Sequence, residues 1–142
     1  MIFLLGDELM PQENKKPLGD VLIVDDDADL CNIVKSYCKN MGCFRNILIA
    51  NDGSNASAKM RNQKFALILL DVNMPKKKGM DLLREVDDKS INSKNDIMIV
   101  SGALDKTVVE KGIASGIKHF LPKPFTEADF QAKVLKLLTA NK

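Results

Sequence analysis

Asp25, Asp26 and Asp27 stand side by side directly after the apolar run Val21-Leu22-Ile23-Val24. Three further groups suited to the same chemistry end other apolar runs. Asp71 follows Ala66–Leu70, Ser101 follows Ile97–Val100, and Lys123 follows His119-Phe120-Leu121 after one proline. Adjacent carboxylates repel, and partial burial sharpens the repulsion. The row is therefore a wet loop or the seat of a cation. Asp25, Asp26 and Asp71 suit one hard divalent ion, Mg²⁺ (or Mn²⁺), which takes carboxylate oxygens, water and phosphate oxygens as ligands. Lys123 offers a mobile positive charge and Ser101 a hydroxyl, both suited to oxygens the metal does not reach. A carboxylate can itself attack phosphorus and become an acyl phosphate. That reaction needs in-line positioning and charge neutralisation, which a metal and a lysine supply. Asp27 is then left to face outward and start a helix.

These residues converge only if the apolar runs lie side by side. The runs are VLIV (21–24), ILIA (47–50), ALILL (66–70), IMIV (97–100) and the shorter HFL (119–121). The first four are continuous rather than alternating, as in strands buried on both faces of a parallel sheet. Helix signals lie between them. Leu30, Ile33, Val34, Tyr37, Cys38 and Met41 follow helical spacing, with Asp27 or Asp29 to cap the start and Gly42 after the end. Ser54–Asn62 is a weaker helix. Leu82, Leu83 and Val86 mark a third after Gly79, and Asp105–Ala114 a fourth, ended by Ser115-Gly116. Thr126 with Asp129 predicts a capping box for the last helix, whose buried stripe is Phe130, Val134, Leu137 and Leu138. Five such units predict an α/β fold: a five-stranded parallel sheet with helices on both faces. Ligands of these sheets bind beyond the carboxyl ends of the strands, where the strand order reverses. The second run ends in Ala50-Asn51-Asp52, which carries no comparable chemical signal.

Composition narrows the function classes. The chain has 142 residues, 45% of them hydrophobic, enough for one domain with a real core. Its net charge of +2, with 21 basic and 19 acidic residues, no Trp and one Tyr (Tyr37), gives no case for nucleic acid. The N-terminal apolar run is far shorter than the ~20 residues of a membrane span and lacks the basic start of a secretion signal. Residues 1–19 read as an extension and linker, and 20–142 as the domain. Ile2–Leu5 would cover their apolar surface by docking on the domain or on a second copy, which would make a homodimer. Cys31, Cys38 and Cys43, with one histidine (His119), do not make a zinc site. They read as reduced thiols packing as small apolar groups in a cytoplasmic protein. His119 reads as structural.

VLIVDDDADL, LILLDVNMPKKKG, IMIVSG and LPKPF together resemble the signature blocks of response-regulator receiver domains, chemotaxis receivers among them. These are the phospho-acceptors of two-component signalling. The blocks occur in family order and span about residues 20 to 140. The resemblance implies a flavodoxin-like, doubly wound (βα)5 fold. It implies Asp71 as the phospho-acceptor, Asp25 and Asp26 as the acidic pair for Mg²⁺, and the main-chain carbonyl of Asn73 as a further metal ligand. Ser101 takes the place of the switch hydroxyl, Lys123 that of the family lysine, and Phe120 that of the switch aromatic. A cis Lys123-Pro124 bond is also implied. The phosphoryl donor would be a sensor histidine kinase or a histidine phosphotransfer protein. Such a domain is not an enzyme beyond its own phosphorylation and dephosphorylation. Gly102 stands where alanine is common and should keep the phosphate accessible. Lys76-Lys77-Lys78 is an unusually basic loop, read first as solvated and second as an attractor of acidic partners or phosphodonors. Asn73 with Ala103 should leave room for an attacking water.

One rival class is an enzyme. A haloacid-dehalogenase-like phosphatase would use Asp25 as nucleophile, with Asp27 in the same motif. It needs further metal-binding acids after the lysine, where only Glu127 and Asp129 stand, and it leaves Asp71 idle. The expectation is instead a stand-alone receiver whose output passes through a surface. Phosphorylation would draw Ser101 toward Asp71 and turn Phe120 inward. The face made by the fourth helix, fifth strand and fifth helix would then change its affinity for a partner protein.

Overall fold

The computed structural model describes residues 16–74, 79–102 and 105–141. The order is β1 (Val21–Val24), α1 (Ala28–Met41), β2 (Ile47–Ala50), α2 (Gly53–Asn62), β3 (Leu67–Leu70), α3 (Gly79–Leu83), β4 (Ile97–Ser101), α4 (Lys106–Ala114), β5 (His119–Pro122) and α5 (Glu127–Ala140). A short 3-10 turn, Lys94–Asp96, leads into β4. All neighbouring strands run parallel, in the order β2-β1-β3-β4-β5.

The sheet is buried on both sides, as its continuous apolar runs demand. Val21, Ile23, Leu67, Leu69, Met98 and Val100 point toward α1 and α5. Leu22, Val24, Ile68, Leu70, Ile97 and Ile99 point toward the opposite layer, where Met60 of α2 and Leu82 and Leu83 of α3 pack. Each such side chain removed from water contributes on the order of 1.5–3 kcal/mol, so these two sheet faces are the main support of the fold.

The chain passes from β1 outward to β2, then returns across β1 to β3. The strand order therefore reverses between β1 and β3. Asp25 and Asp71 are the first residues beyond those two strands.

Local expectations hold with small shifts. Asp27, not Asp29, caps α1: its side chain accepts from Leu30 N at 3.1 Å. The α5 capping box forms as read, with Asp129 N donating to Thr126 Oγ1 and Thr126 N to the Asp129 carboxylate. Helix α2 starts one residue early, because Asp52 caps it from 2.8 Å. Helix α3 ends at Leu83, so Val86 lies in the following turn, still buried. Ile33 corrects the reading of α1. It is 47% exposed, whereas Cys31, Val34, Cys38 and Met41 carry the buried stripe. The helix lies with that stripe down, and Ile33 falls one position off it.

Asp20 knots the base of the domain. Its buried carboxylate accepts from Arg45 Nε (3.0 Å), Asn46 N (3.1 Å) and Gln63 Nε2 (2.7 Å). Burial pushes its pKa up, and the Arg45, Gln63 and Asn46 hydrogen bonds outweigh that to hold it below the ordinary carboxylate value. Leu18 N donates to Cys43 O and Arg45 N to Gly19 O, so the backbone from residue 18 already belongs to the fold. Residues 1–15, and with them Ile2–Leu5, lie outside the described residues.

Candidate functional site

The first and third strands deliver Asp25 and Asp71 to one crevice, each with its side chain only 7% exposed. Asp26 stands beside them, exposed. Carboxylate oxygens of Asp25, Asp26 and Asp71 all lie within 4.8 Å of one another. At an effective dielectric near 20, two unit charges that close cost about 3 kcal/mol. Cations close by offset that repulsion.

One cation is part of the chain. Lys123 Nζ donates to Asp25 Oδ2 at 2.8 Å and to Asp71 Oδ2 at 3.4 Å. The remaining oxygens are oriented by backbone amides. Asp25 Oδ1 accepts from Asp27 N, and Asp71 Oδ1 from Asn73 N, each at 3.0 Å. Burial pushes the Asp71 carboxyl above its ordinary value, against the pull of the Asn73 N–H and the Lys123 charge. Burial alone would lower the Lys123 pKa, but the hydrogen bond and charge of Asp25, reinforced by Asp71, hold it above the ordinary lysine value.

Three carboxylates against one ammonium leave the site negative. The donors are oxygen atoms of the hard type that Mg²⁺ accepts. The residues present therefore fit a divalent cation, which Asp25, Asp26 and Asp71 would hold.

Ser101 ends β4 and is fully buried. Its Oγ accepts from Asn73 Nδ2 at 2.9 Å. Lys123 N donates to Ser101 O at 3.0 Å, which ties the lysine backbone to the strand carrying the hydroxyl. The Lys123-Pro124 bond is cis, as the resemblance implied. Phe120 sits on β5, half-buried against the α2–α3 side of the core. The structure thus brings together Asp25, Asp26, Asp71, Asn73, Ser101 and Lys123. Lys76–Lys78 and Ala103 lie outside the described residues. Among the described residues, a Cβ placed on Gly102 would meet only Lys123 Cβ, at 4.0 Å, which leaves room for alanine there.

Two supporting residues carried no sequence signal. Asn51, at the end of β2, donates from Nδ2 to Asp25 O at 3.0 Å, and Cys31 Sγ donates to the same carbonyl at 3.4 Å. The acidic loop is thereby pinned from β2 and α1. At Gly79, a Cβ would fall 2.5 Å from Asp71 O and 2.6 Å from Val72 Cα. Only glycine lets α3 start so close to the end of β3.

The three cysteines are buried free thiols. Burial is the main reason the Cys31, Cys38 and Cys43 thiols are pushed up to about 11, 12 and 11, which leaves them unreactive near neutral pH. His119 is buried, and burial first, then Lys136, Lys118 and Lys133, holds it below the ordinary histidine value. Glu127 accepts from Asn40 Nδ2 and Gln131 Nε2, and Asp129 is occupied in the α5 cap. Neither completes the acid set that the phosphatase reading requires. No described helix is long and apolar enough to cross a membrane.

Residues 21–135 match the response regulator receiver domain family. The transcriptional regulatory protein CpxR of Klebsiella pneumoniae is 33% identical over 123 residues, covering 85% of this chain and 50% of CpxR. This chain thus spans half the length of that relative. Chemotaxis protein CheY-3 of Vibrio cholerae is 32% identical over 118 residues, covering 82% of this chain and 89% of CheY-3. Among solved structures, the receiver domain of the sensor histidine kinase PA1611 from Pseudomonas aeruginosa superimposes with a TM-score of 0.72. It is 22% identical, covers 84% of this chain and 96% of that one, and holds a magnesium ion in its active site cleft.

Proposed function

Since this chain belongs to the response regulator receiver domain family of two-component signalling, we propose that Asp71 accepts a phosphoryl group from a histidine kinase or a histidine phosphotransfer protein. One observation carries the reading: the Asp71 carboxylate shares a cluster with Asp25 and Asp26 while Lys123 reaches it from across the crevice.

In the reaction, an Asp71 carboxylate oxygen attacks the phosphorus of a phosphohistidine. The phosphorus–nitrogen bond breaks, its electron pair stays on the imidazole nitrogen, and that nitrogen takes a proton from solvent. An acyl phosphate is left on Asp71, with no change of oxidation state. Asp25, Asp26, Asp71 and the main-chain carbonyl of Asn73 would hold Mg²⁺. When bound, Mg²⁺ supplies positive charge to the oxygens of the transferring group. Lys123 turns its ammonium from Asp25 and Asp71 toward the same oxygens. Asn73 N steadies the attacking carboxylate.

Ser101 then donates its hydroxyl hydrogen to a phosphoryl oxygen, and Phe120 follows the space it leaves. The face made by α4, β5 and α5 changes with them, and a partner protein reads that face. The domain is a signalling device rather than a classical enzyme. The direct test is transfer from autophosphorylated histidine kinases of the host. Label should reach the wild-type protein in Mg²⁺ and fail to reach it in excess chelator or in Asp71→Asn. Equal labelling of Asp71→Asn would refute the assignment.

A further inference from the structure

The ring of Phe120 occupies the place where a side chain at position 112 would be. A Cβ built on Gly112 of α4 would lie 2.7 Å from Phe120 Cε1, 2.9 Å from Phe120 Cζ and 3.0 Å from Ile99 Cδ1. Carbon atoms do not approach that closely, and neither a ring edge seated against β4 nor the terminus of buried Ile99 moves aside freely. Gly112 is also the one buried residue of α4. Its neighbour Ile113 is 60% exposed, and Val108, one turn earlier, is half-buried against the same part of the core. Helix α4 therefore rests on the sheet mainly through the backbone of Gly112 against the Phe120 ring, with Val108 beside it. Ile99, which closes the third side of the notch, pairs with Phe120 across β4 and β5, two residues before Ser101.

We infer that Gly112 is a positioning residue for the switch: by lacking a side chain it gives Phe120 its resting seat and couples the position of that ring to α4. The inference rests on the receiver reading and adds a residue to it. The seated ring belongs to the arrangement in which Asn73 Nδ2 holds Ser101 Oγ. When Ser101 turns to a phosphoryl group and Phe120 moves, the notch empties and α4 loses its main support. A methyl group at 112 would evict the ring beforehand and bias the protein toward the phosphorylated form. Alanine is otherwise the better helix former, so its effect must be separated from helix propensity.

The test uses beryllofluoride with Mg²⁺ as the aspartyl-phosphate mimic, titrated into the full chain as wild type, Gly112→Ala, Phe120→Leu and the double variant. Gly112→Ala should tighten beryllofluoride binding about threefold or more where Phe120 is present. It should change binding little in the Phe120→Leu background, which lacks the ring atoms at the notch. An equal shift in both backgrounds, or none with Phe120 present, overturns the inference. Should Gly112→Ala fail to fold, wild-type NMR decides. The contact between the Gly112 α-protons and the Phe120 ring protons should be strong in the free protein and weaken with beryllofluoride; an unchanged contact overturns the inference. Failure of the wild-type protein to bind beryllofluoride would instead bring down the receiver reading itself, and this inference with it.

Discussion

Lys123 Nζ bridges two carboxylates from separate strands, 2.8 Å from Asp25 Oδ2 and 3.4 Å from Asp71 Oδ2. The lysine is thus a counter-ion to the acidic cluster, and on the proposed function it is also a donor to the incoming phosphoryl group. It engages one oxygen of each carboxylate.

Removing the lysine should therefore separate metal binding from phosphorylation. Lys123→Met takes away a positive charge a few ångströms from the cation and should tighten Mg²⁺ binding by about tenfold. The same change should slow labelling by acetyl phosphate by roughly 10²-fold, because a fixed charge at the transferring oxygens is lost. Calorimetric titration and a labelling time course give both numbers. Unchanged or weaker Mg²⁺ binding would contradict the bridging role.

Asp71 makes a prediction about pH. Its folded pKa is raised, chiefly by burial, so the ionised carboxylate costs stability wherever the pH lies above that raised value. Protonation relieves the cost as pH falls through the folded pKa toward the ordinary 3.8. Metal-free Asp71→Asn should therefore melt above wild type at neutral pH, and the gap should narrow on acidification. Lys123 keeps Asp25 as its closer partner in that variant. A gap that widens in acid would reverse the sign and sink the account.

The fold was legible because four of the five strands carry an uninterrupted apolar run, and the site because its chemical groups end the runs. Asp25, Asp71, Ser101 and Lys123 stand where sequence reasoning places them for that reason alone. What stayed hidden depends on tertiary pairing. Asn51 reads as an ordinary turn residue until β2 is laid beside β1. The helix pattern of Asp105–Ala114 gives Gly112 no distinction, which appears only when the Phe120 ring is placed beneath it. Ile33 misled for the opposite reason: helical spacing offers more apolar positions than the sheet has room to bury, and only packing selects the stripe.

Asn51 supports the site through the backbone of Asp25. Asn51→Ala removes one donor from a carbonyl that keeps only the weaker Cys31 thiol. Mg²⁺ binding should weaken roughly two- to fivefold, the worth of one hydrogen bond, with Asn51→Ser restoring part of it. Binding equal to wild type in both variants would show that the acidic loop needs no such pin.

Asn92 separates stability from function. It is 2% exposed and spends its whole amide on the backbone, accepting from Phe65 N and donating to Met60 O and Gln63 O. Asn92→Ala leaves three backbone groups short of a partner and should cost about 3 kcal/mol. The protein that remains folded should label at the wild-type rate. A denaturant titration showing less than about 1 kcal/mol would mean that water replaces the amide.

The central claim, that the phosphoryl group lands on Asp71, is tested most directly by chemical trapping. Borohydride reduces an aspartyl phosphate to homoserine, and peptide sequencing by mass spectrometry reads where. After incubation with acetyl phosphate and Mg²⁺, homoserine should appear at position 71 and nowhere else. Homoserine at position 25 would instead make Asp25 the nucleophile and contradict the account.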